Sequence, residues 1–175
     1  MTVRDITILT HARLIEALDY NPQTGIFVWK ISSGKAKPGK VAGCAGKGGY
    51  RHITIDKEPH VAGRIAFFYV HGRWPINEID HRNRIVDDDR IDNLREATNL
   101  QNLRNRGVLR NNKSGFKGVF WWKYRNCWRA VIMVNFKQKV VGHFKTAEAA
   151  ARGYDKAARE LFGEFAFFNF PQEQT

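Results

Sequence analysis

The chain has 175 residues, of which 43% are hydrophobic and 13% aromatic, so it can bury a core and is not globally disordered. Its formal net charge of +12 and its pI near 10.0 indicate a polyanionic partner. The two cysteines exclude a disulfide framework and a cysteine-based zinc site, and no apolar run approaches the roughly 18 residues of a membrane span. We therefore expect a soluble, cytoplasmic protein that does not bind membranes.

The basic residues are unevenly distributed along the chain. Residues 1–99 carry 15 Lys and Arg against 12 Asp and Glu, whereas residues 100–175 carry 14 against 5. From Leu103 to Lys145 there are 11 basic residues and no acidic one. Seven aromatic residues are interleaved with these cations: Phe116, Phe120, Trp121, Trp122, Tyr124, Trp128 and Phe136. A charge run alone is typical of a solvated face, but this mixture favours a nucleic-acid-binding surface.

Short elements separated by turns are predicted for the first 75 residues. Apolar spacing over residues 5–18 predicts a helix, and Asn21-Pro22 begins a turn. Strands are predicted at Ile26–Trp29 and at Tyr50–Ile55, each bounded by turn residues. The apolar run Val61–Val70 fits either a helix or a buried strand, because periodicity does not distinguish the two.

A polar cluster follows the next predicted strand. Residues 76–81 are expected to form a strand that ends with Asp80 and His81. Residues 82–92 form a polar loop, and Leu94–Ala97 is expected to be the second strand. Asp80 is a hard oxygen ligand, and His81 beside it is a base that titrates near neutral pH.

A helix is predicted directly after this second strand. Thr98 and Gln101 have the spacing of a capping box, which begins a helix and puts Asn102 in its first turn or so. Two strands and one helix can converge on a single point, so the amide oxygen of Asn102 could join Asp80 around one metal ion. Two protein oxygens leave the rest of an octahedral shell to water and phosphate, as Mg²⁺ prefers. An isolated Asp-His pair, however, is more often a surface turn.

The last third of the chain predicts a sheet and one helix. Residues 104–114 form a basic linker, and strands are expected at 117–122, 128–134 and 139–144. Thr146 is expected to cap a helix with an alanine-rich apolar stripe, which ends at Gly163. Alternation directs Val119, Trp121, Ala130 and Ile132 toward that helix and leaves the other face of the sheet open.

The spacing of Asp80-His81, Asn93-Leu94 and Asn102 within the segment that begins at Pro75 resembles the HNH endonuclease family. The similarity is to its phage and intron-associated homing-type branch, and it covers about residues 12–106. The resemblance implies a ββα-metal fold in which Asp80 and Asn102 bind Mg²⁺ (or Mn²⁺) and His81 is the general base. Asn93 would hold the loop that orients His81 through backbone hydrogen bonds.

One position departs from the family pattern. Relatives often have a histidine before the arginine equivalent to Arg64, and this chain has Gly63 there. His60 and His71 are the nearby histidines that could take over an auxiliary role.

Residues 114–171 resemble the plant APETALA2-type DNA-binding domain, through Ser114-Gly115-Phe116-Lys117-Gly118-Val119, Trp128-Arg129-Ala130 and Asn169-Phe170-Pro171 among other motifs. The resemblance implies that the open sheet face contacts the DNA major groove. Phe120, Val131 and Met133 are apolar where plant members carry arginine, so base readout by guanidinium groups is not expected there. The predicted DNA-binding residues are Arg104, Arg106, Lys117, Phe120, Trp122, Lys123, Arg125, Arg129 and Lys139.

These patterns predict an α+β protein: an N-terminal HNH ββα-metal nuclease domain (1–106), a basic linker (107–113) and an APETALA2-like domain (114–171) with a three-stranded antiparallel sheet packed on one helix. The implied function is a metal-dependent, homing-type DNA endonuclease that nicks double-stranded DNA as a monomer, without a small-molecule cofactor beyond the metal. Its expected setting is a bacterial or phage-infected cell. Two alternatives are a DNA-binding regulator with a decayed nuclease centre and an RNA-directed nuclease or RNA binder.

Overall fold

The computed structural model describes residues 9–34 and 36–173. The chain forms two compact units, Met1–Ala97 and Thr98–Thr175. This division falls before the helix that carries Asn102, whereas the sequence grouped that helix with the first domain, up to residue 106. Within the described ranges no helix is both long and apolar enough to cross a lipid bilayer.

The first unit begins with helix α1 (His11–Ala17), which Thr10 caps by accepting a hydrogen bond from the backbone N–H of Arg13. The predicted residues 5–8 of this helix lie outside the described residues. The helix ends at Ala17 because Leu18 begins strand β1 (Leu18–Asn21), which pairs antiparallel with β2 (Ile26–Trp29). The predicted turn at Asn21-Pro22 is thus the tip of a hairpin.

A three-stranded antiparallel sheet follows, with strands β3 (Cys44–Ala45), β4 (Arg51–Ile55) and β5 (Glu58–Val61). The turn residues that follow the predicted strand Tyr50–Ile55 connect β4 to β5. Asp56 and Lys57, both with positive φ, make the turn, and Glu58 already pairs with Ile55. The apolar run Val61–Val70 fitted either a helix or a buried strand in the sequence. The structure shows a helix there, α2 (Ala62–His71).

The strands that position the polar cluster are β6 (Glu78–His81) and β7 (Leu94–Ala97), which pair antiparallel. Asp80 and His81 therefore lie at the end of β6, as predicted. The core beneath these elements is aliphatic and aromatic, and its fully buried members include Leu14, Leu18, Phe27, Ile53 and Ile65.

The second unit begins with helix α3 (Asn99–Asn105) and continues with strands β8 (Val119–Trp122), β9 (Cys127–Val134) and β10 (Lys137–Phe144) and helix α4 (Ala147–Phe162). The three strands form an antiparallel sheet in the order β10-β9-β8. Val119, Ala130 and Ile132 pack against α4, as alternation predicted, because its small alanines let the helix lie close to the sheet. Thr146 and Gly163 cap α4 at the predicted positions.

Candidate active site

Asp80 is paired with Arg95 across the two strands β6 and β7. The Nε and Nη2 atoms of Arg95 donate hydrogen bonds of 2.9 and 2.7 Å to Oδ2 of Asp80. Both side chains are buried. Burial of a carboxylate is costly without a charged partner or hydrogen bonds, and the guanidinium supplies both while it fixes the carboxylate orientation.

His81 contacts a second carboxylate that the sequence did not single out. Its Nε2 lies 3.1 Å from Oδ1 of Asp89, and the two side chains are 4% and 2% exposed. Asp89 was visible in the sequence only as one of three successive aspartates in a polar loop. Its role could not be read there, because the contact depends on how the loop folds back over the strand.

Asn93 ties this loop together at both ends. Its backbone carbonyl accepts from the N–H of Arg82 at 2.9 Å, and its Oδ1 accepts from the N–H of Asn83 at 3.0 Å. Its Nδ2 donates to the carbonyl of Asp88 at 2.7 Å. These hydrogen bonds hold the loop that carries Asp89 against the end of β6, and the part that Asn93 plays in orienting His81 stays a prediction.

The neighbouring Asp88 makes the loop more rigid. Arg90 donates to both of its carboxylate oxygens, and the side chain of Asn83 donates to Oδ2 at 2.6 Å. The pKa of Asp88 is lowered to about 2, mainly by the hydrogen bonds from Arg90. The carboxylate is therefore ionised, and the loop geometry held, throughout the neutral range.

The first hairpin also fixes the backbone of Asp89. The hydroxyl of Tyr20 donates to the carbonyl of Asp89 at 2.7 Å, and burial raises the pKa of this hydroxyl above its ordinary value. Gly25 has φ of +72°, and a Cβ at this position would lie 2.5 Å from the backbone of both Asp89 and Arg90. Only glycine fits this close approach of hairpin and loop.

Asn102 lies in the first half of α3, as the capping box predicted. The side chain of Thr98 accepts from the N–H of Gln101, and the Gln101 side chain accepts from the N–H of Thr98 at 2.8 Å. This helix belongs to the second compact unit, and the pairing of Asn102 with Asp80 stays a prediction.

The predicted metal ligands are the side-chain oxygens of Asp80 and Asn102. Within residues 9–34 and 36–173, no three His, Cys, Asp or Glu side chains are grouped so as to hold a metal ion. The predicted pair is instead one carboxylate and one amide oxygen, which fits a hard cation that keeps most of its water ligands. The orientation of Asp80 by Arg95 also fits, because ligating carboxylates are usually hydrogen-bonded to a further residue.

The histidines near Gly63 make aromatic contacts. The imidazole of His60 stacks on Trp74 at 6.0 Å between ring centroids, and His71 packs on Phe67 at 4.2 Å. The space beside Gly63 is occupied by the side chain of Asp89, since a Cβ at Gly63 would lie 2.9 Å from Oδ1 of Asp89.

The predicted DNA-binding residues Lys117 and Arg104 make contacts at the C-terminal end of α3 and with α4. Nζ of Lys117 donates to the carbonyls of Arg104 and Arg106, each at 2.6 Å, and so satisfies the C-terminal end of α3. The guanidinium of Arg104 lies 4.4 Å from the Phe162 ring centroid. Lys117 is therefore a half-buried helix cap, and its assignment as a DNA-binding residue stays a prediction. Arg106 ends α3 and is exposed.

A stacked cluster occupies part of the open sheet face. Trp122 stacks on His143 at 4.8 Å, and the guanidinium groups of Arg125 and Arg129 lie 5.1 and 5.2 Å from the Trp122 ring. Among the described residues, no acceptor reaches the buried Nε of Arg129. Arginine stacked on an aromatic face without a carboxylate partner is suited to a phosphate or a base.

The remaining predicted contact residues are exposed: Phe120, Lys123 and Lys139. Two sheet residues differ in burial from what their predicted side of the sheet suggests. Trp121, expected against the helix, is 48% exposed and packs edge-on against Trp128 on the edge strand β8. Val131, expected on the open face, is buried on the central strand β9.

Comparison with known proteins gives two matches. Residues 60–104 match the family model of the HNH endonucleases, which covers α2, β6, β7 and most of α3. Protein 3.8 of Escherichia phage T7 is 37% identical over 90 residues, which is 51% of this chain and 74% of that protein. No solved structure matches.

Proposed function

The chain belongs to the family of phage T7 Protein 3.8 and carries an HNH endonuclease domain at residues 60–104, and on that premise we propose that it is a metal-dependent endonuclease that hydrolyses DNA phosphodiester bonds. The observation that carries the proposal is the pair Asp80 and His81 at the end of β6, each held by its own buried partner inside the matched segment. Because β6 is paired with β7, the backbone at Asp80 and His81 is held in place and the two side chains keep fixed positions.

Each residue of the site has a distinct part in the proposed reaction. His81 takes the proton from the water that attacks phosphorus. Asp80 and Asn102 would hold a divalent cation, Mg²⁺ or Mn²⁺, which when bound stabilises negative charge on the phosphate and the leaving oxygen. Asn93 keeps the loop 82–89 closed, so that the imidazole of His81 stays in one orientation.

The second unit would bring DNA to this site. The APETALA2-like assignment of residues 114–171 rests on the sequence motifs and on a three-stranded sheet with α4 across one face. The exposed cations Lys123, Arg125 and Lys139, with Arg129 stacked on Trp122, would contact phosphates, and Phe120 would lie against the groove. Exposed Arg106 and the adjacent Arg104 extend this basic surface.

We further propose a homing-type enzyme that acts as a monomer and nicks one strand, because one His81 and one Asp80 supply one general base and one metal position. The nuclease function would reside in residues 1–106 and the targeting function in 114–171, joined by the basic segment 107–113.

A plasmid-nicking assay tests the proposal. Wild type with Mg²⁺ should convert supercoiled plasmid to the nicked form, whereas His81→Ala should be slower by about 10²–10⁴-fold. Chelation by EDTA should abolish cleavage by wild type. Equal cleavage by both proteins would exclude His81 as the base, whereas cleavage by neither would favour a DNA-binding regulator with a decayed centre. Labelled RNA in the same assay tests the alternative of an RNA-directed nuclease, which would cleave the RNA.

A further inference from the structure

We propose that Asp89 is a positioning residue that fixes the tautomer of His81, with its carboxylate accepting the Nε2 proton so that Nδ1 is the basic nitrogen. This inference rests on the proposed function, since it says how the general base of that reaction is oriented. When water is activated, its O–H bond breaks as an N–H bond forms at Nδ1. The resulting imidazolium carries both protons, with Asp89 opposite the one on Nε2. The hydroxide forms a bond to phosphorus as the bond from phosphorus to the leaving oxygen breaks, and the leaving oxygen keeps that electron pair and takes a proton from solvent water.

The first support is the contact itself. The Nε2 atom of His81 lies 3.1 Å from Oδ1 of Asp89, and a carboxylate accepts a hydrogen bond from an N–H, so this contact favours the tautomer with its proton on Nε2. The side chains are 4% and 2% exposed, so water competes little for this bond. A carboxylate in this position also stabilises the imidazolium that forms when His81 takes a proton.

The second support is that Asp89 is itself held from several directions. Its carbonyl accepts the Tyr20 hydroxyl, the N–H of Ile91 donates to Pro22 at 3.2 Å, and Gly25 lies directly against the Asp89 backbone. Asn93 fixes the preceding carbonyl, that of Asp88. A carboxylate whose backbone is fixed on both sides cannot leave His81 without moving the loop.

The third support comes from helix α2, where Gly63 faces the pair. A Cβ at this position would lie 2.9 Å from Asp89 Oδ1 and 3.6 Å from both Cε1 and Nε2 of His81. Glycine inside a helix is destabilising relative to alanine, because it loses more backbone freedom on folding. Helix α2 therefore has glycine, a residue of low helix propensity, at a position where a methyl group would push the carboxylate of Asp89 away from the imidazole of His81.

Replacement of Asp89 by asparagine tests the inference, with Asp87→Asn as the matched control. Both substitutions remove one negative charge from the same loop, but Asp87 is exposed and Asp89 faces His81. The amide that Asp89→Asn introduces can donate to Nε2 and so favour the opposite tautomer. The corresponding change in a serine-protease triad lowers kcat about 10⁴-fold. We expect Asp89→Asn to lower kcat for plasmid nicking by about 10²–10⁴-fold, with KM for DNA unchanged and Asp87→Asn close to wild type.

Long-range ¹⁵N–¹H correlation spectra supply a readout that does not depend on activity. In wild type the neutral imidazole of His81 should carry its proton on Nε2, and in Asp89→Asn a substantial fraction should carry it on Nδ1. A wild-type spectrum with the proton on Nδ1 would overturn the inference, as would an Asp89→Asn enzyme within about threefold of wild-type kcat. If no variant or wild type cleaves DNA, the proposed function fails while the spectra still decide the orientation of His81.

Gly63→Ala is the second variant, needed in case Asp89→Asn does not fold. It removes no charge and favours the helix, but its Cβ requires Asp89 to shift. Misplacement of a catalytic group by about 1 Å can cost about 10²-fold in rate, so a smaller shift of Asp89 should still lower the rate measurably. We expect kcat to fall at least tenfold with an unchanged or higher melting temperature, and the His81 tautomer to become mixed. Wild-type kcat together with a wild-type spectrum in Gly63→Ala would contradict the inference.

Discussion

The two compact units use their charged residues in opposite ways. In the first, Asp80 and Arg95 form a buried ion pair, and His81 and Asp89 form a second buried pair on the same loop and strands. In the second, Arg125 and Arg129 lie over the Trp122 ring, in a stretch of chain without a single acidic residue. Paired buried charges fix positions, which catalysis requires. Cations without carboxylate partners remain able to attract a polyanion, which binding requires.

The largest effect on stability should come from Arg95→Met. The substitution removes the guanidinium that pairs with buried Asp80, and breaking a buried ion pair in this way typically costs about 3–5 kcal/mol. The matched control is Arg73→Met, because Arg73 pairs with Glu96 at the surface and its loss should matter far less. Urea denaturation of both variants measures the difference. Equal destabilisation by the two substitutions would show that the buried pair has no special role.

Lys117→Met should have the next largest effect, on stability rather than on DNA affinity. The ammonium satisfies two carbonyls at the end of α3, and hydrogen bonds from charged groups contribute about 1.5–3 kcal/mol. Lys113→Met is the control, since Lys113 lies in the same basic segment. Denaturation and filter binding measure the two quantities. A loss of DNA affinity with unchanged stability would show instead that Lys117 binds phosphate.

The double substitution Arg125→Ala and Arg129→Ala should weaken DNA binding while the fold is kept. Each lost phosphate contact should reduce the slope of log affinity against log salt by about 0.9. Arg73→Ala, whose guanidinium is paired with Glu96, should leave the slope unchanged. Binding titrations between low and moderate salt measure both. A wild-type slope in the double variant would remove the stacked cluster from the DNA-binding surface.

His60 should produce the smallest effect, a change in pH dependence. Burial lowers its pKa below the ordinary value of 6.5, so the unfolded chain binds its proton more readily than the folded one. The stability linked to this group is therefore fully present above pH 6.5 and is lost as the pH falls through its lowered pKa. His60→Phe keeps a ring against Trp74 and should flatten melting temperature against pH between about 7 and 5. An unchanged slope would mean that His60 is not a source of acid sensitivity.

Local patterns predicted the elements well where a few neighbouring residues decide the structure. The capping residues Thr98 and Thr146 both begin helices at the expected positions, and Asp80 lies at the end of its strand. Asp89 could not be predicted, because three successive aspartates look alike until the loop closes and only one of them reaches His81.

The sheet of the second unit shows a different limit. Period-two alternation predicts which side of a strand a residue faces, but the depth of burial depends on the neighbouring strands. Trp121 on an edge strand is exposed, and Val131 on the central strand is buried. Lys117 was expected to bind phosphate because its charge was visible in the sequence, whereas the carbonyls of Arg104 and Arg106 that it reaches were not.

The contact between Lys117 and the end of α3 bears on how modular the protein is. A chimera that joined residues 1–106 to a foreign DNA-binding domain would retain α3 and Asn102. It would lose the side chain that satisfies the last carbonyls of that helix, together with the Phe162 ring against which Arg104 packs. Exchange of targeting specificity by domain grafting should therefore preserve Lys117 and Phe162, and a junction drawn at the apparent linker would separate a helix from the residues that hold it.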